Sequence, residues 1–128
     1  MLLAVAALAA CSGAAAEAEL TDVTWTLTEL EGSAPLADTN VDLVISADGS
    51  LAGSGGCNRY MGGVTFGDGE ITFGPNLAST RMACEEAVMA QESAYLDLLE
   101  RVSGYEIGGG ELRLTDSNGN VLARFQAS

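Results

Sequence analysis

Histidine is absent from the 128-residue sequence, and so is lysine; the 5 basic residues are all arginine. Without imidazole the chain has neither the usual general base, nor the commonest metal ligand, nor a histidine-dependent triad. Most familiar hydrolase mechanisms are excluded with it. Positive charge is scarce altogether: 18 Asp and Glu outweigh the arginines to give a formal charge of −13. Nucleic acid is therefore a poor partner, because phosphate affinity comes mainly from Lys and Arg displacing counterions. An anionic membrane face is disfavoured for the same reason. No apolar run is long enough to span a bilayer. What is there is a 48% hydrophobic composition, enough for one domain of this length to bury roughly two thirds of its extended-chain surface.

Met1 to Ala10 is apolar and uncharged and precedes Cys11 and the small polar stretch Ser12-Gly13-Ala14-Ala15-Ala16-Glu17. It has the h-region of a secretory signal but lacks the basic n-region, which leaves a truncated leader open. Leu8-Ala9-Ala10-Cys11 resembles the bacterial lipobox, in which the cysteine is acylated and the preceding peptide removed; two or more acyl chains give stable anchoring. An ordinary signal peptide cut near Ala10 or Ala16, or an Ala-rich leader, is the alternative. Ser12 resembles an outer-membrane address. The expected organisation is a signal peptide over 1–10, a lipidated Cys11 with a flexible tether over 11–21, and one domain over 22–126. The expected location is the cell envelope, at the outer membrane facing the periplasm.

From residue 21 the pattern is mostly period two, broken by glycines. Val23, Trp25 and Leu27 alternate with threonine; Val41, Leu43 and Ile45 alternate likewise, and Asp48-Gly49 signals a hairpin into Leu51–Ser54. Further strands are expected at 60–66, 70–73, 105–107, 111–115 and 121–125, joined by Gly-rich turns. One segment departs from this rhythm. Val88, Gln91, Tyr95, Leu98, Leu99 and Val102 recur at spacings of three and four, which predicts an amphipathic helix over about residues 85–102. Glu85 and Glu86 at its start, Arg101 at its end and Gly104 beyond suit the helix dipole and a terminal stop. The fold class is mainly β: a small antiparallel curved sheet or lipocalin-like barrel of about eight strands, with one helix over an open end or edge.

Three chemical motifs fail. Asp116-Ser117-Asn118-Gly119-Asn120 begins like a calcium loop, but glycine comes fourth instead of sixth, and Ala127 stands where the last ligand belongs. Gly53-Ser54-Gly55-Gly56-Cys57-Asn58 lacks the Gly-Lys-Ser/Thr that a phosphate loop requires. Glu85-Glu86 and Asp97 with Glu100 lie on a helix's polar side and read as a solvated face. No cofactor or metal and no catalytic residues are expected. The cysteines say more: with Cys11 lipidated, Cys57 and Cys84 remain as an even pair in an oxidising compartment. A bond between them would close a loop of about 28 residues, worth roughly 3.5 kcal/mol in the chain-entropy model, with Cα atoms roughly 5 to 6 Å apart. Two separately buried thiols are the alternative.

Trp25-Thr26-Leu27, the run Gly53-Ser54-Gly55-Gly56-Cys57-Asn58-Arg59-Tyr60-Met61-Gly62, then Thr80-Arg81-Met82-Ala83-Cys84 and Glu92-Ser93-Ala94-Tyr95-Leu96-Asp97-Leu98-Leu99 together resemble the META domain, or HslJ-like, family over about residues 22–126. The resemblance implies a small, mainly antiparallel barrel with one helix, often found in envelope lipoproteins linked to heat or antibiotic stress. It brings no established activity or ligand with it. Val64 departs from the aromatic that commonly follows the Gly62 turn.

The motif residues admit two readings. In the structural one, Asn58 occupies a left-handed turn or bonds nearby backbone, Tyr60 and Met82 fill core, Thr80 caps the approach to the helix, and Arg59 and Arg81 pair with Glu85 or Glu86. In the functional one, Asn58, Arg59, Tyr60, Thr80, Arg81 and Met82 form a recognition surface where the cysteine segments meet. The leading expectation is a monomeric, non-enzymatic envelope module for binding or stability, with a protein of the envelope as partner. The alternatives are a small-molecule carrier using the barrel interior and an inhibitor of an envelope enzyme. A domain this small must fill most of its interior, and the known small barrel inhibitors of cell-wall lytic enzymes rely on a Lys-bearing loop that this chain lacks.

Overall fold

The computed structural model describes residues 18–128. The expected signal peptide over 1–10, the expected lipidation site Cys11 and the expected tether as far as Glu17 lie outside the described residues.

Period-two alternation becomes the inner and outer faces of β1 (Trp25–Leu30), β2 (Val41–Ile45), β3 (Ser50–Gly55), β4 (Arg59–Gly67) and β5 (Glu70–Phe73). A two-residue β6 (Ala78–Ser79) and the helix α1 (Glu86–Leu99) follow, and then β7 (Gly104–Gly108), β8 (Glu111–Thr115) and β9 (Val121–Ala127). Successive side chains on a strand point to opposite faces. Hence Trp25 and Leu27, Leu43 and Ile45, Ile71 and Phe73, and Leu112 and Leu114 all turn inward and are buried.

Every pairing is antiparallel. β1 pairs with β2, β2 with β3, β3 with β4, β4 with β5, β5 with β7, β7 with β8, β8 with β9, and β9 returns to β1. This closes an eight-stranded barrel, as the alternation predicts, and β6 continues the line of β5 along the same flank of β4. Closure is uneven. β7 and β8 share five register pairs, whereas β5 meets β7 through the single pair Glu70 and Gly104, flanked by Ile71 N–H to Ser103 O (3.1 Å) and Tyr105 N–H to Gly69 O (2.9 Å).

The barrel interior is solidly filled. Tyr60, Tyr95, Phe125, Leu43, Ile45 and Leu112 are all at or below 1% exposure. Tyr95, Leu98 and Leu99 come from α1, each contributing on the order of 1.5–3 kcal/mol by burial, so the helix closes one barrel end. Gln91 fastens it to the β1–β2 connection, accepting from Leu36 N–H (2.7 Å) and donating to Thr39 Oγ1 (3.1 Å). The chain enters at the opposite end, where Asp22 N–H meets Ile45 O (2.7 Å) and Trp25 Nε1 donates to Leu20 O (3.0 Å).

The helix is shorter than the expected 85–102. It ends at Leu99, and Arg101 and Val102 N–H groups then bond the carbonyls of Leu98 and Leu99 in a tightened last turn. Arg101 therefore stands beyond the helix and pairs with Glu31 (3.2 Å), and Gly104 opens β7 instead of capping α1. The Asp116 loop is a hairpin turn, its carboxylate accepting from the N–H groups of Asn118 and Asn120 (both 2.9 Å). Those bonds, with the Asn120 side-chain amide, hold the Asp116 carboxyl below the usual carboxylate range; the Asn120 backbone bond has the largest effect.

Candidate functional site

The disulfide sets the frame of the site. Cys57, in the β3–β4 turn, is bonded to Cys84, just before α1, with Cα atoms 6.1 Å apart, at the upper edge of the separation expected from the sequence. Two distant segments thereby become neighbours, and Asn58 joins them a second time. Its Oδ1 accepts from Thr80 Oγ1 (2.9 Å) and Met82 N–H (2.6 Å), and its Nδ2 donates to Met82 O (3.3 Å). The left-handed position in this turn belongs to Gly56, at φ +114°, not to Asn58.

Below Asn58 lies a residue that the sequence reading did not single out as a site. Glu92, on the buried stripe of α1, accepts from Cys57 N–H (3.0 Å), Asn58 N–H (2.6 Å) and Asn58 Nδ2 (2.8 Å). A carboxylate is suited to this, since two oxygens offer several acceptor sites and charge-assisted bonds are the stronger kind. Gly55 makes the room: a Cβ there would lie 2.7 Å from Glu92 Oε2. Gly53 does the same for Tyr60, whose hydroxyl a Cβ would approach to 2.7 Å.

Tyr60 belongs to the core and not to a surface, at 1% exposure. Its hydroxyl bonds Asp42 O (2.7 Å) and the Tyr95 hydroxyl (2.6 Å), and the rings meet edge to face at 5.6 Å. Burial pushes both phenols well above their ordinary value. Thr80 is committed to Asn58 Oδ1 and to Arg59 N–H (3.2 Å), far from the helix start, so it caps nothing. Of the six residues expected to form a recognition surface, Asn58 and Tyr60 therefore act from inside.

Arg59, Thr80, Arg81 and Met82 remain outside. Met82 is 59% exposed, and Met61 and Met89 are 54% and 38% exposed, so Met82 does not fill core. Arg101, Arg113 and Arg124 are all engaged in ion pairs, with Glu31, Glu106, Glu111 and Glu29. Arg59 and Arg81 make none among the described residues, so the pairing with Glu85 or Glu86 does not form. A groove of about 400 Å³ runs beside Arg81, walled by Thr80, Arg81 and Met82 on one side and Met89, Ser93 and Leu96 of α1 on the other.

Residues 18–128, which form this closed barrel, bonded cysteine segments and inserted helix, match the family model of the META domain. The chain belongs to the META domain family. Among curated proteins no match is found. Solved structures do match. A protein from Burkholderia xenovorans, solved by NMR, is 31% identical, with 100% of this chain and 95% of that chain covered at a TM-score of 0.68. A second NMR structure, 20% identical, covers 85% of this chain and 92% of its own at 0.67. A DUF4847-family protein from Bacteroides vulgatus, a crystal structure at 14% identity, covers 86% and 95% at 0.65. At these identities the last two show a common fold.

Proposed function

We propose that this META domain is a stress-associated module of the bacterial envelope, anchored by lipid at Cys11, that binds a partner protein and catalyses no reaction. The observation that carries the reading is the pair of arginines left without ion pairs in a chain of net charge −13. Both flank the disulfide, and exposed methionines lie beside them. Such a spot suits an anionic group on a partner with apolar contact around it. The buried carboxylate nearby is no free general base, because Glu92 already accepts three hydrogen bonds. A filled interior leaves little for a carrier to hold. The chain also enters the barrel at the end away from α1, so a membrane tether there leaves the arginine face pointing toward the compartment.

The test uses the full chain in its native envelope. Cys11→Ser should move the protein from the membrane to the soluble fraction. Arg59→Glu with Arg81→Glu should abolish crosslinked capture of the partner and change stability by less than about 0.5 kcal/mol, as exposed substitutions do. Unaltered capture by the double variant, or turnover of an envelope substrate lost on replacing a carboxylate, would overturn the reading.

A further inference from the structure

β6 is the last strand of the sheet order, with β4 on one flank and no strand among the described residues on the other. Thr80 N–H donates to Arg59 O (3.0 Å) and Met82 N–H to Asn58 Oδ1 (2.6 Å), so alternate residues turn their backbone toward β4. Ser79 and Arg81, between and before them, therefore direct N–H and C=O away from β4, as the antiparallel ladder requires. Facing that edge across the groove are Met89, Ser93 and Leu96 of α1 and Glu100 just after its end, at spacings of three and four. A second hollow of about 170 Å³, lined by Leu77, Ala78, Asp97 and Glu100, continues the first, and the two share Ser79 and Leu96. From Met89 to Glu100 the helix rises about 16 Å, the length of about five extended residues.

The groove is also polarised. Arg81 stands at one end, with Arg59 on the neighbouring strand; Asp97 and Glu100 stand at the other, and none of these four has an ion pair among the described residues. Leu96 lies between the two charges and Met82 and Met89 beside Arg81, and flexible thioethers adapt to varied apolar side chains. We infer that the groove takes an extended peptide segment of the partner, added antiparallel to β6, with an acidic side chain at Arg81 and a basic one at Asp97 and Glu100. This rests on the binding reading above and names its partner chemistry. The main chain supplies affinity through the free edge at Ser79 and Arg81, and the end charges select register and direction. β6 runs from the acidic end to the arginine end. An antiparallel guest therefore carries its acidic residue first and its basic residue about four positions later.

The probe is a capped five-residue peptide, Glu-Val-Thr-Val-Lys, whose end charges lie four positions apart on one face of the extended chain. Added to the isotopically labelled full chain, it should shift the amide resonances of Ser79 and Arg81. Exchanging the two end charges should weaken binding about tenfold, and N-methylating alternate amides should abolish it. Arg81→Glu combined with Asp97→Lys and Glu100→Lys, all exposed changes, should invert the preference between the two peptides. Equal affinity for both peptides, insensitivity to N-methylation, or no shift at Ser79 and Arg81 overturns the inference. If those failures occur while capture of the envelope partner still depends on Arg59 and Arg81, the groove is refuted and the broader binding reading stands.

Discussion

Glu92 occupies a position that hydropathy alone would assign to an apolar side chain, in phase with Val88, Tyr95 and Leu99 on α1. Its carboxylate takes the N–H groups of a turn that a disulfide and an asparagine also hold. Glu92→Gln would turn an amide NH₂ toward one of those donors. That should cost about 1–3 kcal/mol, the penalty of an unsatisfied buried group, and lower the melting temperature by about 4 °C for each kcal/mol; calorimetry of the variant measures it. An unchanged melting temperature would mean that the turn holds itself. The Tyr60 and Tyr95 pair gives a prediction in pH. Burial raises both phenols above their unfolded value, so above about pH 10 the folded state retains protons that the unfolded state has lost. Their contribution is complete below that pH and falls as pH rises through the folded values. Urea unfolding should show stability declining above about pH 10, and Tyr60 and Tyr95 should stay un-ionised in absorbance titrations until the domain unfolds.

At the level of elements, the hairpin strands were legible from alternation and turn residues. β5 and β8 fall at the expected 70–73 and 111–115, because inward and outward positions there differ sharply. β6 was not legible. Ala78 and Ser79 carry no alternation, and what makes them a strand is remote: pairing with Met61 and Tyr60 and the tie from Asn58 to Met82. The helix was recognisable but overextended, since Arg101 and Gly104 fit a helix end equally well before Glu31 and β8 claim them. The recognition surface was legible in part. Spacing brings Arg59 and Arg81 to the disulfide, but only the phase of position 92 with the apolar stripe could have pointed to Glu92. The disulfide unites these elements across a sequence separation of 27. Replacing Cys57 and Cys84 with serine should lower unfolding free energy by about 2–4 kcal/mol, read from denaturant curves, and should broaden the resonances of Thr80 to Ala83. Unaltered stability would mean that Asn58 suffices to hold the segment.

For the whole molecule, charge is divided by face. Glu29, Arg124, Glu111, Arg113 and Glu106 form a mutually satisfied belt over β1, β9, β8 and β7, and hydrogen bonds to Glu111 and Glu106 raise the Arg113 guanidinium above its ordinary value. The belt consumes cations on one side and leaves those beside the disulfide available on the other. The single register pair between β5 and β7 has a different consequence, one for time instead of geometry. A hoop fastened by one clasp opens at the clasp, so solvent should reach the backbone there long before the hoop itself comes apart. Native-state hydrogen exchange should therefore rank Ile71 and Tyr105 as early leavers and Leu112 and Leu114 as late ones, with the gap narrowing in denaturant. Equal exchange rates across both groups would mean that the ring breaks everywhere at once. Because α1 ends just before Ser103, whose carbonyl accepts from Ile71, the first opening frees the far end of the helix while the disulfide still holds the near one.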